Sequence, residues 1–377
     1  MKANVLLLTI FAAGAGVMAA PDGAPASAPV RQKPERLTAN GTLLWRGKPF
    51  FPIGIYHVNH TEEEYALLAA HGFNTVQGHF ATEVTPFLKT LDLAARHNLA
   101  VDVPLHADNL VKENLEKSLA KIRAAAGHPA VLSWKILDEP DSDRRAGVRD
   151  EVPPAYRAIK ALNPGQPVEL TLCKDATLGV WTRLCDVVQI DRYPVPGRPL
   201  TEVADFCERV RREMEPWQNL TVIVQCGWTA DLKTQPTFAQ ARAMVYLALI
   251  SGAKGIFWYS RKDPGWDLTT TPLWPRLKEI NAEIAALSAP VLLGLDVPGI
   301  QCSAPGVRFA ARQHLGKLFL LATNPADAPA DAVFTLPSGL RARAAQLAGS
   351  GQRLALTGAS VHVPLAGTDS ATIVFDL

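Results

Sequence analysis

The chain has 377 residues, of which 48% are hydrophobic and 20% charged, with a formal net charge of +2; this is an ordinary globular composition, long enough for one large domain and a small one. The charge falls to about +1 once Lys2 is set aside, and no dense Lys/Arg cluster interrupts the chain, which excludes a phosphate-backbone footprint and with it a nucleic-acid partner. The five cysteines, Cys173, Cys185, Cys207, Cys226 and Cys302, are too scattered for a zinc knuckle and too few for a disulfide scaffold, although a bridge such as Cys173 to Cys185 is permitted and the odd count leaves a free thiol.

In chain order, residues 1–20 place Lys2 before an apolar run and small residues before Pro21, the pattern of a cleaved secretory signal peptide rather than a membrane span. That predicts a secreted or periplasmic protein with no membrane association after cleavage. Residues 21–40 are rich in Pro, Ala and polar residues and read as a linker, with order expected from Gly41. From there short apolar runs alternate with helical stretches: "FFPIGIYH" then "TEEEYALLAAHG", "FNTVQGHF" then "VTPFLKTLDLAARHN", "LAVDVPLHAD" then "LVKENLEKSLAKIRAAAG". The alternation continues through "AVLSWKILDEP", "PVELTL", "DVVQIDRYP", "LTVIVQCGW" and "KGIFWYS". Eight strands with seven or eight helices across residues 41–288 have the repeat number and size of a (β/α)₈ barrel. The fifth strand is the weakest, with no clear helix before Asp186. Thr61 with Glu64 reads as a capping box opening the first helix. Residues 289–377 change texture to short alternating runs, among them "KLFLLATN", "SVHVPL" and "ATIVFDL", the signature of a small antiparallel β-sandwich in an accessory role.

The C-terminal ends of barrel strands share one mouth, where barrel chemistry sits. Strand one ends in Tyr56, His57 and Asn59, strand two in His79, and strand three in His106 and Asp108. Strand four ends in Asp138 and Glu139, strand six in Asp191, Arg192 and Tyr193, strand seven in Gln225, Cys226 and Trp228, and strand eight in Trp258 and Tyr259. Carboxylates, hydroxyls, imidazoles and indoles gathered together suit a sugar, with aromatic faces for the ring and paired donors and acceptors for its hydroxyls.

The triplet Asp138-Glu139-Pro140, the opening "GKPFFPIGIY" and the eighth-strand "GAKGIFWYS" together resemble a secreted glycoside hydrolase of the (β/α)₈ superfamily whose strand four ends in Asn-Glu-Pro. The resemblance spans roughly residues 41–288, and the trailing sandwich is similar to the β-domain that often follows such barrels. It implies a carbohydrate substrate, Glu139 as general acid/base, and no metal or organic cofactor. Two departures stand out: Gln225 occupies the place of the strand-seven nucleophilic Glu, and Asp138 replaces the usual Asn. An amide cannot form a glycosyl ester. Adjacent Asp and Glu is also the pattern of retaining hexosaminidases, in which a 2-acetamido group replaces the protein nucleophile, so Asp138 could position that group. Inversion is the other route, with Glu139 as acid and Asp191 as base for water. Tyr56, His106, Tyr193, Gln225, Trp228 and Trp258 are then expected to line the sugar subsite.

Plainer readings stand beside these. Asp138 or Asp141 could simply cap a solvated loop, Trp134 lies inside a strand and reads as core, and Cys226 reads as a small buried hydrophobe. Histidines 57, 60, 79 and 106 do not repeat the His-x-His spacing of metal-dependent barrels, and strands five and six supply none; they read as hydroxyl contacts or loop residues. A barrel that kept a sugar-binding mouth while losing catalysis is the alternative to a working hydrolase.

Overall fold

The computed structural model describes residues 32–377, apart from 81–82, 106–110 and 228–233 and the side chains of 111–114. Eight parallel strands close into a barrel: β1 (Ile53–Ile55), β2 (Thr75–Gln77), β3 (Ala100–Pro104), β4 (Val131–Asp138), β5 (Val168–Leu172), β6 (Val187–Arg192), β7 (Asn219–Gln225) and β8 (Ile256–Tyr259), with β8 pairing β1. The helices that follow them are α1 (Glu62–Ala70), α2 (Val84–Arg96), α3 (Val111–Ala125), α4 (Val152–Leu162), α5 (Leu178–Trp181), α6 (Glu202–Arg212), α7 (Phe238–Ile250) and α8 (Trp274–Leu293). The repeat expected from sequence is present, and the weak fifth unit is real, its helix reduced to the single turn of α5 and a 3₁₀ turn, Thr182–Leu184.

Alternation along each strand sorts the side chains into two cores. Val101, Val103, Trp134, Ile136, Leu170, Ile190, Val222, Val224 and Trp258 join the large apolar core shared with the helices. Tyr56, Ile223 and Phe257 form a separate cluster inside the barrel. Gly54 makes room for it, since a Cβ there would lie 2.3 Å from the Phe257 ring.

A hairpin of Leu43–Trp45 and Lys48–Phe50 closes the N-terminal end. Trp45 packs with Ala100, Leu132 and Phe50, and its Nε1 donates to Pro129 O at 2.9 Å. The packed chain starts earlier than the expected Gly41: Leu37 is buried against Leu43 and Val187, and Arg36 donates to Val131 O at 3.0 Å.

The expected boundary at residue 288 falls inside α8, which continues to Leu293. Beyond it a six-stranded and a four-stranded antiparallel sheet enclose a second core around Leu318, Leu320, Phe334, Val361 and Phe375. The sandwich docks on α7 and α8. Tyr246 and Thr372 hydroxyls lie 3.0 Å apart, Arg242 Nε pairs with Glu283 at 2.8 Å, and Arg242 also donates to Ser370 O at 2.5 Å. Leu321 of the sandwich belongs to the barrel's own helix-side core. The cysteines are all unpaired, so the permitted Cys173–Cys185 bridge is absent. Among the described residues no helix is long and apolar enough to cross a membrane.

Candidate active site

The acidic turn after β4 uses one of its carboxylates as an anchor. Asp141 accepts from the backbone N–H of Cys173 (2.9 Å) and Lys174 (2.7 Å), tying the turn to the end of β5, while Arg149 donates to the carbonyls of Pro140, Asp141 and Ser142. Held this way, Glu139 takes a left-handed backbone (φ 49°), a conformation that costs a non-glycine residue on the order of 1–3 kcal/mol and recurs at functional sites. Its N–H still donates to Thr171 O at 3.0 Å. Asp138 is solvent-exposed beside it.

Glu139, Cys173 and Asp191 each place a ligand-type atom within 4.8 Å of the others. Asp191 is buried at 7% exposure, and its Oδ1 meets no hydrogen-bond donor among the described residues. An ionised carboxylate so placed would be severely undersolvated. Burial first, then the charges of Glu139 and Asp138, push the Asp191 carboxyl well above the usual range, and it hydrogen-bonds to Glu139. The Asp191 carboxyl is thus biased toward its protonated form beside Glu139, which also pairs with the exposed Arg144 guanidinium. Burial and the surrounding acids push the Cys173 thiol up as well, and its Sγ donates to Asp141 Oδ1 at 3.4 Å.

Under this pair the barrel interior is polar. Lys135, 3% exposed, pairs with Asp102 at 3.1 Å and Glu169 at 3.0 Å. Its Nζ also donates to the Tyr56 hydroxyl and to Gln189 Oε1, and Tyr56 donates to the same Gln189 oxygen. Ser133 bridges Asp102 and Glu169. Burial and the facing Glu169 push the Asp102 carboxyl well up; a neutral Asp102 leaves Lys135 and Glu169 matched one to one.

The opposite wall is aromatic. Tyr193 and Tyr259 stack at 5.4 Å with a 24° interplanar angle, and the His57 ring lies 5.1 Å from Tyr259. Burial first, then the charges of Asp263, Asp138, Glu139 and Asp191, push the Tyr259 phenol up. His57 lines a cavity of about 340 Å³ together with Asn59, His60, Gln77, His79, Phe80 and Lys262. Burial and His79 lower His60 to about 4, and its Nδ1 is 2.7 Å from the Tyr65 hydroxyl; it is a neutral wall residue. The expected capping box of α1 is half formed: Thr61 accepts from Glu64 N–H at 3.2 Å, but the Glu64 carboxylate turns to Arg261 at 2.7 Å, fastening the segment after β8.

The mouth thus brings together Asp138, Glu139, Asp191, Tyr193 and Tyr259, each named from a strand end, and adds Cys173 and Asp263. Cys173 directly follows β5, a place the strand-end rule points to; Asp263 sits in the two-residue strand Lys262–Asp263, paired with Trp266–Asp267 and too short for periodicity to mark. Three expectations need correction. Trp258 is fully buried, faces the helices instead of the mouth, and donates from Nε1 to Asn281 of α8 at 3.0 Å. Gln225, 1% exposed, accepts from Val195 N at 3.0 Å and donates to Val195 O at 2.6 Å, so its amide locks the loop after β6. Tyr56, 2% exposed, is floor under the mouth with its hydroxyl engaged by Lys135 and Gln189. His106 and Trp228 lie outside the described residues.

Glu139, Cys173 and Asp191 form the one group of three potential metal ligands close enough to share an ion among the described residues, and no imidazole belongs to it. Burial and neighbouring acids push the Cys173 thiol and the Asp191 carboxyl up toward their protonated forms, which disfavours a cation, since metal ligands must be deprotonated.

No family model matches the chain, and no curated protein matches it. Its fold does recur among solved structures. A GH27 β-L-arabinopyranosidase from Geobacillus stearothermophilus, solved with arabinose, superposes with a TM-score of 0.61 at 11% identity, covering 87% of this chain and 97% of that one. A family 5 glycoside hydrolase from Bacteroides vulgatus gives 0.60 at 13% identity over 91% and 93% of the two chains. A GH30 endoxylanase from Clostridium papyrosolvens gives 0.53 at 13% identity over 90% and 98%. The similarity extends through barrel and sandwich together, and what it establishes is a closed parallel eight-stranded barrel with an appended β-domain, an architecture shared with glycoside hydrolases.

Proposed function

We propose that the protein is a glycoside hydrolase cleaving an O-glycosidic bond in an oligo- or polysaccharide. The observation that carries this reading is the Glu139–Asp191 pair: two carboxyls within 4.8 Å, one of them buried without a donor, hold a proton at the barrel mouth beside a tyrosine pair suited to a sugar face. Asp191 stores the proton below. Glu139, whose side chain is 14% exposed, is the member that meets substrate and passes the proton to the leaving oxygen. Burial of Asp191, which pushes its carboxyl well above the usual range, argues against it as the base of an inverting pair. Asp138, exposed at the same strand end, is the group available to position a 2-acetamido substituent. The apolar segment at residues 1–20 fits export, with extracellular or periplasmic glycan as substrate.

The lock between Gln225 and Val195 favours a second reading, a barrel that binds sugar without cleaving it. Release of chromophore from a panel of aryl glycosides, with and without a 2-acetamido group, separates the two. Turnover that falls roughly 10²–10⁴-fold in Glu139→Gln supports the hydrolase; sugar binding by the wild type without turnover on any member supports the silent barrel. Activity unchanged in Glu139→Gln would overturn the acid assignment.

A further inference from the structure

A glycosidase also needs something to attack the anomeric carbon, and neither Gln225, an amide locked on Val195, nor Asp191, buried at 7% exposure with its carboxyl pushed well above the usual range, is suited to supply or activate it. We infer that His57 is the base that activates the attacking water, oriented by Asp263; this rests on the hydrolase reading above. His57 Nδ1 lies 2.7 Å from Asp263 Oδ1. Ser260 Oγ donates to the other oxygen, Oδ2, so Asp263 cannot swivel away. A carboxylate facing Nδ1 keeps the proton on that nitrogen and leaves the Nε2 lone pair available. Among the described residues that nitrogen has no hydrogen-bond partner, while the side chain is 34% exposed and lines the 340 Å³ cavity.

The placement is right for attack from the far side. In the closed ring β4, which carries Glu139, is four strands from β8, and Asp263 lies just beyond β8 while His57 follows β1. Tyr259, at the end of β8, lies 5.1 Å from the His57 ring and stacks on Tyr193 at 5.4 Å, so a sugar held on the Tyr193–Tyr259 stack is next to the imidazole. The backbone is built for it: His57 has φ 55°, and its N–H donates to Gln77 Oε1 at 3.1 Å. The charged and polar groups around it are Asp263, the phenols of Tyr56 and Tyr259, the Gln77 amide, and His60, His79 and Lys262 across the cavity.

In the step, the water oxygen bonds to the anomeric carbon as the bond from that carbon to the leaving oxygen breaks. His57 Nε2 takes the proton from water, and the Glu139–Asp191 pair gives one to the leaving oxygen. Solvent then carries a proton from the imidazolium back to the pair, with no oxidant or co-reactant. The product anomer is inverted.

The test uses the best substrate of the aryl panel in two forms, a dinitrophenyl glycoside and the methyl glycoside of the same sugar. Product anomer is read by proton NMR in the first minutes, and kcat and KM are measured for wild type, His57→Gln, Asp263→Asn and Glu139→Gln. Inversion is expected. His57→Gln should lower kcat about 100-fold or more on both forms with KM within about threefold, Asp263→Asn should lower it about tenfold or more, and Glu139→Gln should recover most of its activity only on the dinitrophenyl form. Retention of configuration overturns the assignment; retention confined to 2-acetamido sugars would hand the role to the substrate through Asp138. An effect of His57→Gln on KM alone makes His57 a hydroxyl contact. Circular dichroism of both dyad variants separates loss of base from loss of fold. Absence of turnover by the wild type would refute the hydrolase reading, and this one with it.

Discussion

Placing at Gln225 the glutamate that the sequence resemblance expects at the end of β7 should harm this protein instead of improving it. In Gln225→Glu the Nε2 donor that lies 2.6 Å from Val195 O becomes an oxygen facing a carbonyl, at a position 1% exposed. Leaving that carbonyl unpaired costs roughly 1–3 kcal/mol, and an ionised carboxylate with Val195 N–H as its one donor adds a further desolvation penalty. The cheaper response is for the new carboxyl to keep its proton and donate to Val195 O. Each unit by which its pKa then exceeds the unfolded value of about 4.3 costs about 1.4 kcal/mol at higher pH, so an elevation of two to three units gives a penalty of roughly 3–4 kcal/mol at pH 8. The native state binds the extra proton, so stability declines as pH rises from about 4.3 through the elevated pKa, and the penalty nearly vanishes on the acid side. Urea unfolding at pH 5 and pH 8 measures this, with Gln225→Ala as a control whose loss does not vary with pH. A Gln225→Glu protein as stable as wild type at pH 8 that releases a retained anomer would refute the view that the Gln225 amide is a loop lock.

Asp191→Asn removes the stored proton, so the fall in kcat on the alkaline side should move to lower pH and maximal kcat should drop at least tenfold; a pH–rate profile on the best aryl glycoside reads both. Lys135→Met strands the buried carboxyls of Asp102 and Glu169, which should cost roughly 3–5 kcal/mol; because those acids then keep protons when folded, the loss seen by urea unfolding should grow as pH rises. Asp186, fully buried, accepts from Lys160 at 3.0 Å and from Val168 N–H at 2.9 Å, so Asp186→Ala should destabilise by a similar amount while leaving the pH–rate profile in place. Removing residues 294–377 uncovers Tyr246 and the sandwich-facing side of α7, and the truncated chain is expected to self-associate in sedimentation experiments.

The barrel was legible because period-two strands and period-3.6 helices alternate with turn residues between them, and "KLFLLATN" and "SVHVPL" coincide with the strands Lys317–Asn324 and Ser360–Leu365. The site was legible only as a set of strand ends. A strand end presents neighbouring residues to opposite faces, so Tyr259 reaches the mouth while Trp258 packs outward; the alternation that found the strand also separates these two. Gln225 could not be sorted from sequence because its partner is the backbone of Val195, which has no side-chain signature. Asp263 escaped notice for the same physical reason as most loop contacts: its distance to His57 is set by how the chain turns after β8, held in place by Arg261 against Glu64.

The charged layer inside the barrel has a consequence for assembly. Asp102, Lys135 and Glu169 lie on three successive strands, β3, β4 and β5. A slip of one residue in any of them would turn its polar or charged group outward into the apolar shell, where burial without a partner is costly. Hydrophobic side chains tolerate many neighbours, whereas this trio tolerates one alignment. Neutralisation and strand alignment must therefore occur together, which makes the centre of the sheet an all-or-none unit and predicts that amides of β3, β4 and β5 exchange hydrogen through one shared opening event.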